Sequence, residues 1–275
     1  LNDGIALVKF YYWLEKNYKK KNITELLAAE KLEEFRRENT NFFSPSFPTI
    51  SATGANGSII HYNPNKKSQV LKKGEIYLCD SGGQYFGATT DITRTIFLGD
   101  KPPDKLKVIY TKVLLGHLNI SMLKFPIGTR GYQLDSIARY NLWNDGLDYN
   151  HGTGHGVGSF LGVHEGPQSI SKNPNNVSLK AGMIISNEPG FYKNKSFGIR
   201  IENLVLVKES LFKNYLEFET LSMFPYELKL INSNLLNSCQ KDWVSNYHNQ
   251  IYSRLSNSLD KKHRDWLKKK IEINN

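Results

Sequence analysis

Four acids sit where acids are least welcome. Asp80 closes the apolar run EIYLCD, Asp91 opens DITRTIF, Glu188 closes MIISNE, and Glu202 lies inside IRIENLVLV. Each run reads as a buried strand, Glu75 to Asp80, Asp91 to Phe97, Met183 to Glu188 and Ile199 to Val207. An ionised carboxylate buried alone costs several kcal/mol or shifts its pKa until it is neutral. Four in one sheet would also repel one another. Arg94 and Arg200 are near enough in sequence to pair with an acid, and Arg200 with Glu202 would share a strand face as a plain structural ion pair. Pairing of that kind accounts for one acid or two, not for four.

The stretch HGTGHGVGSFLGVHE, His151 to Glu165, supplies the complement. It carries His151, His155 and His164 among glycines at 152, 154, 156, 158 and 162. Glycine at that density lets the backbone pass close to something, and imidazole is the commonest metal ligand. The phosphate-cradling patterns G-x-G-x-x-G and G-x-x-x-x-G-K-[ST] are absent, as is the zincin pattern H-E-x-x-H, because Gly-Pro-Gln follows His164-Glu165. Two divalent cations would balance the four carboxylates. Carboxylates with a single imidazole and no thiolate are hard ligands that favour Mn²⁺, Mg²⁺ or Co²⁺. A pair of such ions suits hydrolysis of an amide or ester.

The rest of the chain frames this set. Leu1, Ile5, Val8 and Tyr12 have the spacing of one helix face, and Thr24 caps a second helix with Glu25 at its positive end. Asn41 to Pro48 has turn chemistry, and Ile59 to Tyr62 reads as a short strand carrying His61. The connection SGGQYFGATT suggests a hairpin with Tyr85 and Phe86 at its tip. Leu106 to Leu123 is helical, with His117 on its apolar stripe as a core or boundary residue. A helix through Leu134 to Leu142 ends at Gly146. Helix, hairpin, helix and hairpin again hints at an internal duplication: the first acid pair encloses 10 residues and the second 13. After Pro225, Trp243, Tyr247, Ile251 and Leu255 mark an amphipathic helix whose apolar face needs a partner, either the domain or a second subunit.

Composition narrows the class. At 275 residues, 39% hydrophobic and 12% aromatic, the chain builds a real core. No run of about 18 apolar residues is present, so no membrane span is expected. The chain starts at Leu1 and shows no signal-peptide core, which suggests a part of something longer. Cys79 and Cys239 cannot make a disulfide framework and fit a reducing compartment. The net charge of +10 lies largely in Lys19 to Lys21 and the tail from Lys261, runs that are usually solvated faces, so no nucleic-acid partner is expected.

The set Asp80, Asp91, His155, Glu188 and Glu202 resembles the five-ligand dinuclear site of the pita-bread metallopeptidases, family M24. EEFRR, SFPTISATGANGSIIHY, DSGGQY with TTDITRT, LWNDGLDYNHGTGHGVGSFLGVHEGP, NEPGFY with FGIRIEN, and the tail WVSNYHNQIYSRL resemble the cytosolic aminopeptidase P family in particular. The resemblance covers almost the whole chain. It implies an α+β pita-bread fold of two pseudo-symmetric halves around a mainly antiparallel sheet, with a catalytic domain at 1–230, a C-terminal helical extension at 231–275 and further domains preceding both. It implies two metal ions, commonly manganese with cobalt or zinc as alternatives. Asp91 and Glu202 would bridge both, Asp80 would hold one, and His155 with Glu188 the other. Glu188 would take the proton of the attacking water, His164 would contact the scissile carbonyl oxygen, and His61 would bind substrate and stabilise the intermediate. His151 would line the proline-side pocket, and Arg200 would orient a carboxylate. The implied protein is a cytoplasmic homodimer that removes an N-terminal residue preceding proline. The competing readings are a non-catalytic pita-bread module that binds histones or nucleic acid, and a prolidase or methionine aminopeptidase. Many members have Asp where this chain has Asn187.

Overall fold

A computed structural model describes residues 1–272. The first half opens with helices α1 (Asn2–Asn17) and α2 (Glu25–Arg37). Strands β1 (Phe42–Pro45), β2 (Ile50–Thr53), β3 (Ile76–Ser81), β4 (Gly83–Tyr85), β5 (Ala88–Thr89) and β6 (Ile92–Phe97) follow. The second half repeats the plan with α3 (Asp104–Ser121), β7 (Lys124–Pro126) and α4 (Tyr132–Trp143). Its strands are β8 (Gly154–His155), β9 (Ser169–Ile170), β10 (Ile184–Asn187), β11 (Gly190–Lys193), β12 (Phe197–Arg200), β13 (Asn203–Glu209) and β14 (Tyr215–Thr220). Helices α5 (Ser238–Leu255) and α6 (Lys261–Ile271) close the chain.

The helix signals act as the sequence implies. Thr24 Oγ1 accepts from the Leu27 amide at 3.1 Å and starts α2. Gly146 adopts φ +68° just past α4, the left-handed turn that ends helices. The face of α1 differs from expectation. Leu1 is 60% exposed, whereas Leu7, Phe10, Tyr11 and Leu14 are buried along with Val8. The helix is covered on more than one side: Tyr11 stacks on Phe224 at 4.6 Å and Tyr12 meets His263 of α6 edge-on at 4.8 Å.

Both halves pair antiparallel. In the first, β3 lies between β2 and β6, with Asp80 opposite Thr93. In the second, the order is β10-β13-β14-β7. The SGGQYFGATT connection is a hairpin, with β4 and β5 meeting around Phe86 and Gly87. Two expected strands are altered. Ile59 to Tyr62 is a turn following a 3₁₀ segment at Gly54–Ser58, closed by the Tyr62 amide on Ile59 O (3.1 Å) and anchored by the Tyr62 hydroxyl on Glu25 Oε2 (2.7 Å) instead of a ladder. The run from Ile199 to Val207 is broken at Ile201 and Glu202. There the Ile201 amide donates to Pro189 O (3.2 Å) and the Glu202 amide crosses to Thr93 O (3.1 Å), which stitches the two halves at the acids.

The apolar face of α5 finds its partner within the chain. Val244, Tyr247, Ile251 and Leu255 are buried in the same core as Leu14, Tyr77 and Leu118. The guanidinium of Arg94 makes the connection rigid. It is buried and, among the described residues, pairs with no carboxylate, donating instead to Glu202 O (2.6 Å), Asn203 Oδ1 (2.8 Å), Pro225 O (3.1 Å), Phe224 O and the Tyr247 hydroxyl (3.0 Å). His117 is a core residue, with Nδ1 on Asn187 O and Nε2 on the Tyr226 hydroxyl, each at 3.0 Å.

Candidate metal centre

Every side chain nominated from the sequence lines one cavity of about 530 Å³ at the seam between the halves. Asp80 comes from β3, Asp91 from the residue before β6, His155 from β8, Glu188 from just past β10, and Glu202 from the break before β13. Asp91, His155 and Glu202 each bring a ligand atom within 4.8 Å of the others. His155 Nε2 lies 3.2 Å from Glu188 Oε1 and 3.5 Å from Asp91 Oδ2. His151 lines the cavity, and its Nδ1 stands 3.9 Å from Glu188 Oε2. His61 and His164 are exposed at the cavity wall, the latter with its ring 4.1 Å from that of His155. An apolar part of the wall is formed by Phe47, Pro48, Ile50, Ile60 and Val163.

The donor set fits divalent cations. Asp80 Oδ1 and Asp91 Oδ1 are buried acceptors with no hydrogen-bond donor, a costly condition that a cation relieves. Burial, and then the neighbouring charge of Asp80, push the Asp91 carboxyl up to about 7. Burial and repulsion from Asp91, Glu188 and Asp80 push Glu202 well above the carboxylate range. Burial opposes charge on His155, but its bonds to Asp91 and Glu188 prevail and raise it. The cluster thus attracts positive charge. The Nδ1–H of His155 donates to Gly156 O at 3.0 Å, which fixes the ring and leaves Nε2 facing the acids.

The supporting contacts are specific. The Thr93 hydroxyl donates to Glu202 Oε2 at 2.7 Å. The Ser186 hydroxyl donates to Glu188 Oε1 and accepts the His155 amide, both at 2.9 Å. Arg200 Nη2 donates to Asp80 Oδ2 at 2.6 Å, so its ion-pair partner lies in the other half and is not Glu202. Its Nη1 donates to the Tyr192 hydroxyl (2.6 Å), which in turn donates to His151 Nε2 (2.8 Å), while His151 Nδ1–H donates to Gly152 O (2.7 Å). Both nitrogens of His151 are thereby committed. Burial lowers its proton affinity, so the ring forms a neutral wall.

The glycines of the histidine loop act by size. None of those at 152 to 162 adopts positive φ. A Cβ on Gly154 would stand 1.9 Å from Ser186 O, and one on Gly156 would stand 2.0 Å from Glu165 O. Sequence reasoning missed Tyr192, Thr93 and Ser186. Ser186 carries a faint signal, since it is two residues from Glu188 and shares its strand face. Asn187, on the opposite face, donates to His117 O (2.9 Å) and Ser121 Oγ (3.0 Å), away from the acids.

Comparison with known proteins agrees with this geometry. The profile of metallopeptidase family M24 matches residues 3–209, and that of the C-terminal region of the same peptidases matches 214–273. The chain is 48% identical over 281 aligned residues to a protein named probable Xaa-Pro aminopeptidase P from Coprinopsis cinerea, covering 98% of this chain and 45% of that one. It superposes with TM-score 0.94 and 36% identity on X-prolyl aminopeptidase from Caenorhabditis elegans, described as a cytosolic enzyme with a di-nuclear active site, covering 98% of this chain and 46% of that one. Xaa-Pro dipeptidase from Bacillus anthracis follows at TM-score 0.69 and 28% identity, covering 82% of this chain and 60% of that one. The chain spans about half the length of the curated relatives it matches. The fold of two repeated helix-and-hairpin halves is the α+β pita-bread fold. The chain belongs to metallopeptidase family M24.

Proposed function

We propose that this chain is the catalytic part of an aminopeptidase that hydrolyses the bond between an N-terminal residue and a penultimate proline. The observation that carries the proposal is the convergence of four strand-borne carboxylates and His155 on one cavity, with Asp80 Oδ1 and Asp91 Oδ1 lacking donors. The names of the relatives point to the same substrate class.

Asp80, Asp91, His155, Glu188 and Glu202 would hold two divalent ions. Manganese is the proposed metal. When bound, the ions supply Lewis acidity toward the scissile carbonyl and the attacking water. Glu188, held by the Ser186 hydroxyl, receives the proton of that water. His164 donates to the scissile carbonyl oxygen, and His61 binds substrate and stabilises the charge that develops. The neutral ring of His151 packs against the pyrrolidine beside the apolar wall. Arg200 holds the Asp80 carboxylate in orientation through the bond from its Nη2.

We place the protein in the cytoplasm as a homodimer that acts on peptides and neither binds nucleic acid nor enters a membrane. Among the described residues no helix is long and apolar enough to cross a membrane, and the C. elegans relative is described as cytosolic. The deciding assay compares X-Pro-X tripeptides with X-Pro dipeptides in the presence of Mn²⁺. Cleavage of the tripeptide is expected; activity on the dipeptide alone would make the chain a prolidase, and none on either would leave a binding module.

A further inference from the structure

Glu25 has no part in the proposed chemistry, yet it is among the most completely buried acids in the molecule, with 0% of its surface exposed. It sits in the first turn of α2, where a carboxylate interacts favourably with the helix dipole. Its side chain reaches further than that role requires. Oε1 accepts from the Thr53 amide at 2.7 Å and Asn56 Nδ2 at 3.1 Å. Oε2 accepts from the Tyr62 hydroxyl at 2.7 Å, the Gln69 amide at 3.0 Å and Asn56 Nδ2 at 3.0 Å. The backbone joins in: the Glu25 amide donates to Gln69 O, and Glu25 O accepts from the Ser51 hydroxyl.

All five side-chain bonds come from neutral donors, so the carboxylate is satisfied without a cation. Both oxygens act as acceptors here; a glutamine would turn an amide N–H toward one of the donors. The donors all lie in residues 53–69. Past Thr53, the last residue of β2, that segment has no strand ladder, and its middle, Ile60, His61, Tyr62 and Asn63, lines the same cavity as the acids. One buried carboxylate therefore draws together the beginning, middle and end of the wall that carries His61.

We propose that Glu25 is a positioning residue that sets the His61 wall of the cavity and thereby substrate affinity. The catalytic consequence rests on the peptidase reading above; the structural consequence does not. In Glu25→Gln, tested in the full chain loaded with Mn²⁺, KM for an X-Pro-X tripeptide should rise about tenfold while kcat changes less than about threefold. The amides of Thr53 and Gln69 should lose hydrogen-exchange protection about tenfold or more, while those of β3 and β6 keep theirs. Tyr62→Phe removes one donor and should give a smaller change of the same kind; it carries both measurements if Glu25→Gln does not fold. Unchanged exchange at 53–69, or a loss of protection spread evenly over the chain, would overturn the proposal. If the unaltered protein cleaves no X-Pro-X peptide, the peptidase reading fails while the exchange measurement still decides the role of Glu25.

Discussion

Glu188 shows how one side chain combines two demands. Burial would raise its carboxyl, but its bond to His155 and the charge there outweigh burial and hold it low, at about 2. Held ionised, the carboxylate is in the form that can accept a proton. Glu188→Gln preserves shape and the Ser186 contact but removes the base. It should lower kcat about 10²- to 10⁴-fold with the fold retained in circular dichroism; near-normal turnover would remove Glu188 from the assigned role. The residues around it divide into those visible in sequence and those not. An acid at the end of an apolar strand announces itself, because its burial needs an explanation. Tyr192, which locks His151, does not, because an aromatic residue in a strand is ordinary and its hydroxyl partner is fixed only by the fold.

At the level of elements, the C-terminal helices are part of the core that supports the metal centre. Arg94 links Glu202 and Asn203 to Tyr247 of α5 with no compensating acid. Arg94→Met would strand several buried acceptors at once, and a loss of about 3 kcal/mol or more is expected in denaturant unfolding; a loss below about 1 kcal/mol would mean that α5 docks independently of the centre. The same helix confers acid sensitivity. Burial lowers His248 to about 3 from 6.5, and its Nε2 accepts the Tyr226 amide. Between those values the unfolded chain binds a proton that the folded chain does not, so stability falls as pH falls through that window. His248→Gln should flatten the dependence by up to about 1.4 kcal/mol per pH unit between pH 6 and 4, read from unfolding midpoints.

For the whole molecule, the two halves are joined at the acids, so cation binding should couple to global stability. After chelation, saturating Mn²⁺ should raise the unfolding free energy by about 2.7 kcal/mol at a hundredfold excess over Kd. In Asp80→Asn most of that gain should vanish; a full gain in the variant would place the cations elsewhere. The sequence by itself determined the helices, the paired strands, the four buried acids and the histidine loop, because hydrophobic periodicity, helix caps and the cost of buried charge are local properties of a chain. It misread Ile59 to Tyr62 as a strand and Ile199 to Val207 as continuous, because both depart from regular pairing through bonds to distant partners, Glu25 in one case and Thr93 O in the other. Only the tertiary structure decided that Arg200 pairs with Asp80 across the seam, that Arg94 serves carbonyls, and that α5 is internal. Those outcomes depend on which surfaces meet when the halves close, and spacing along the chain carries no record of that.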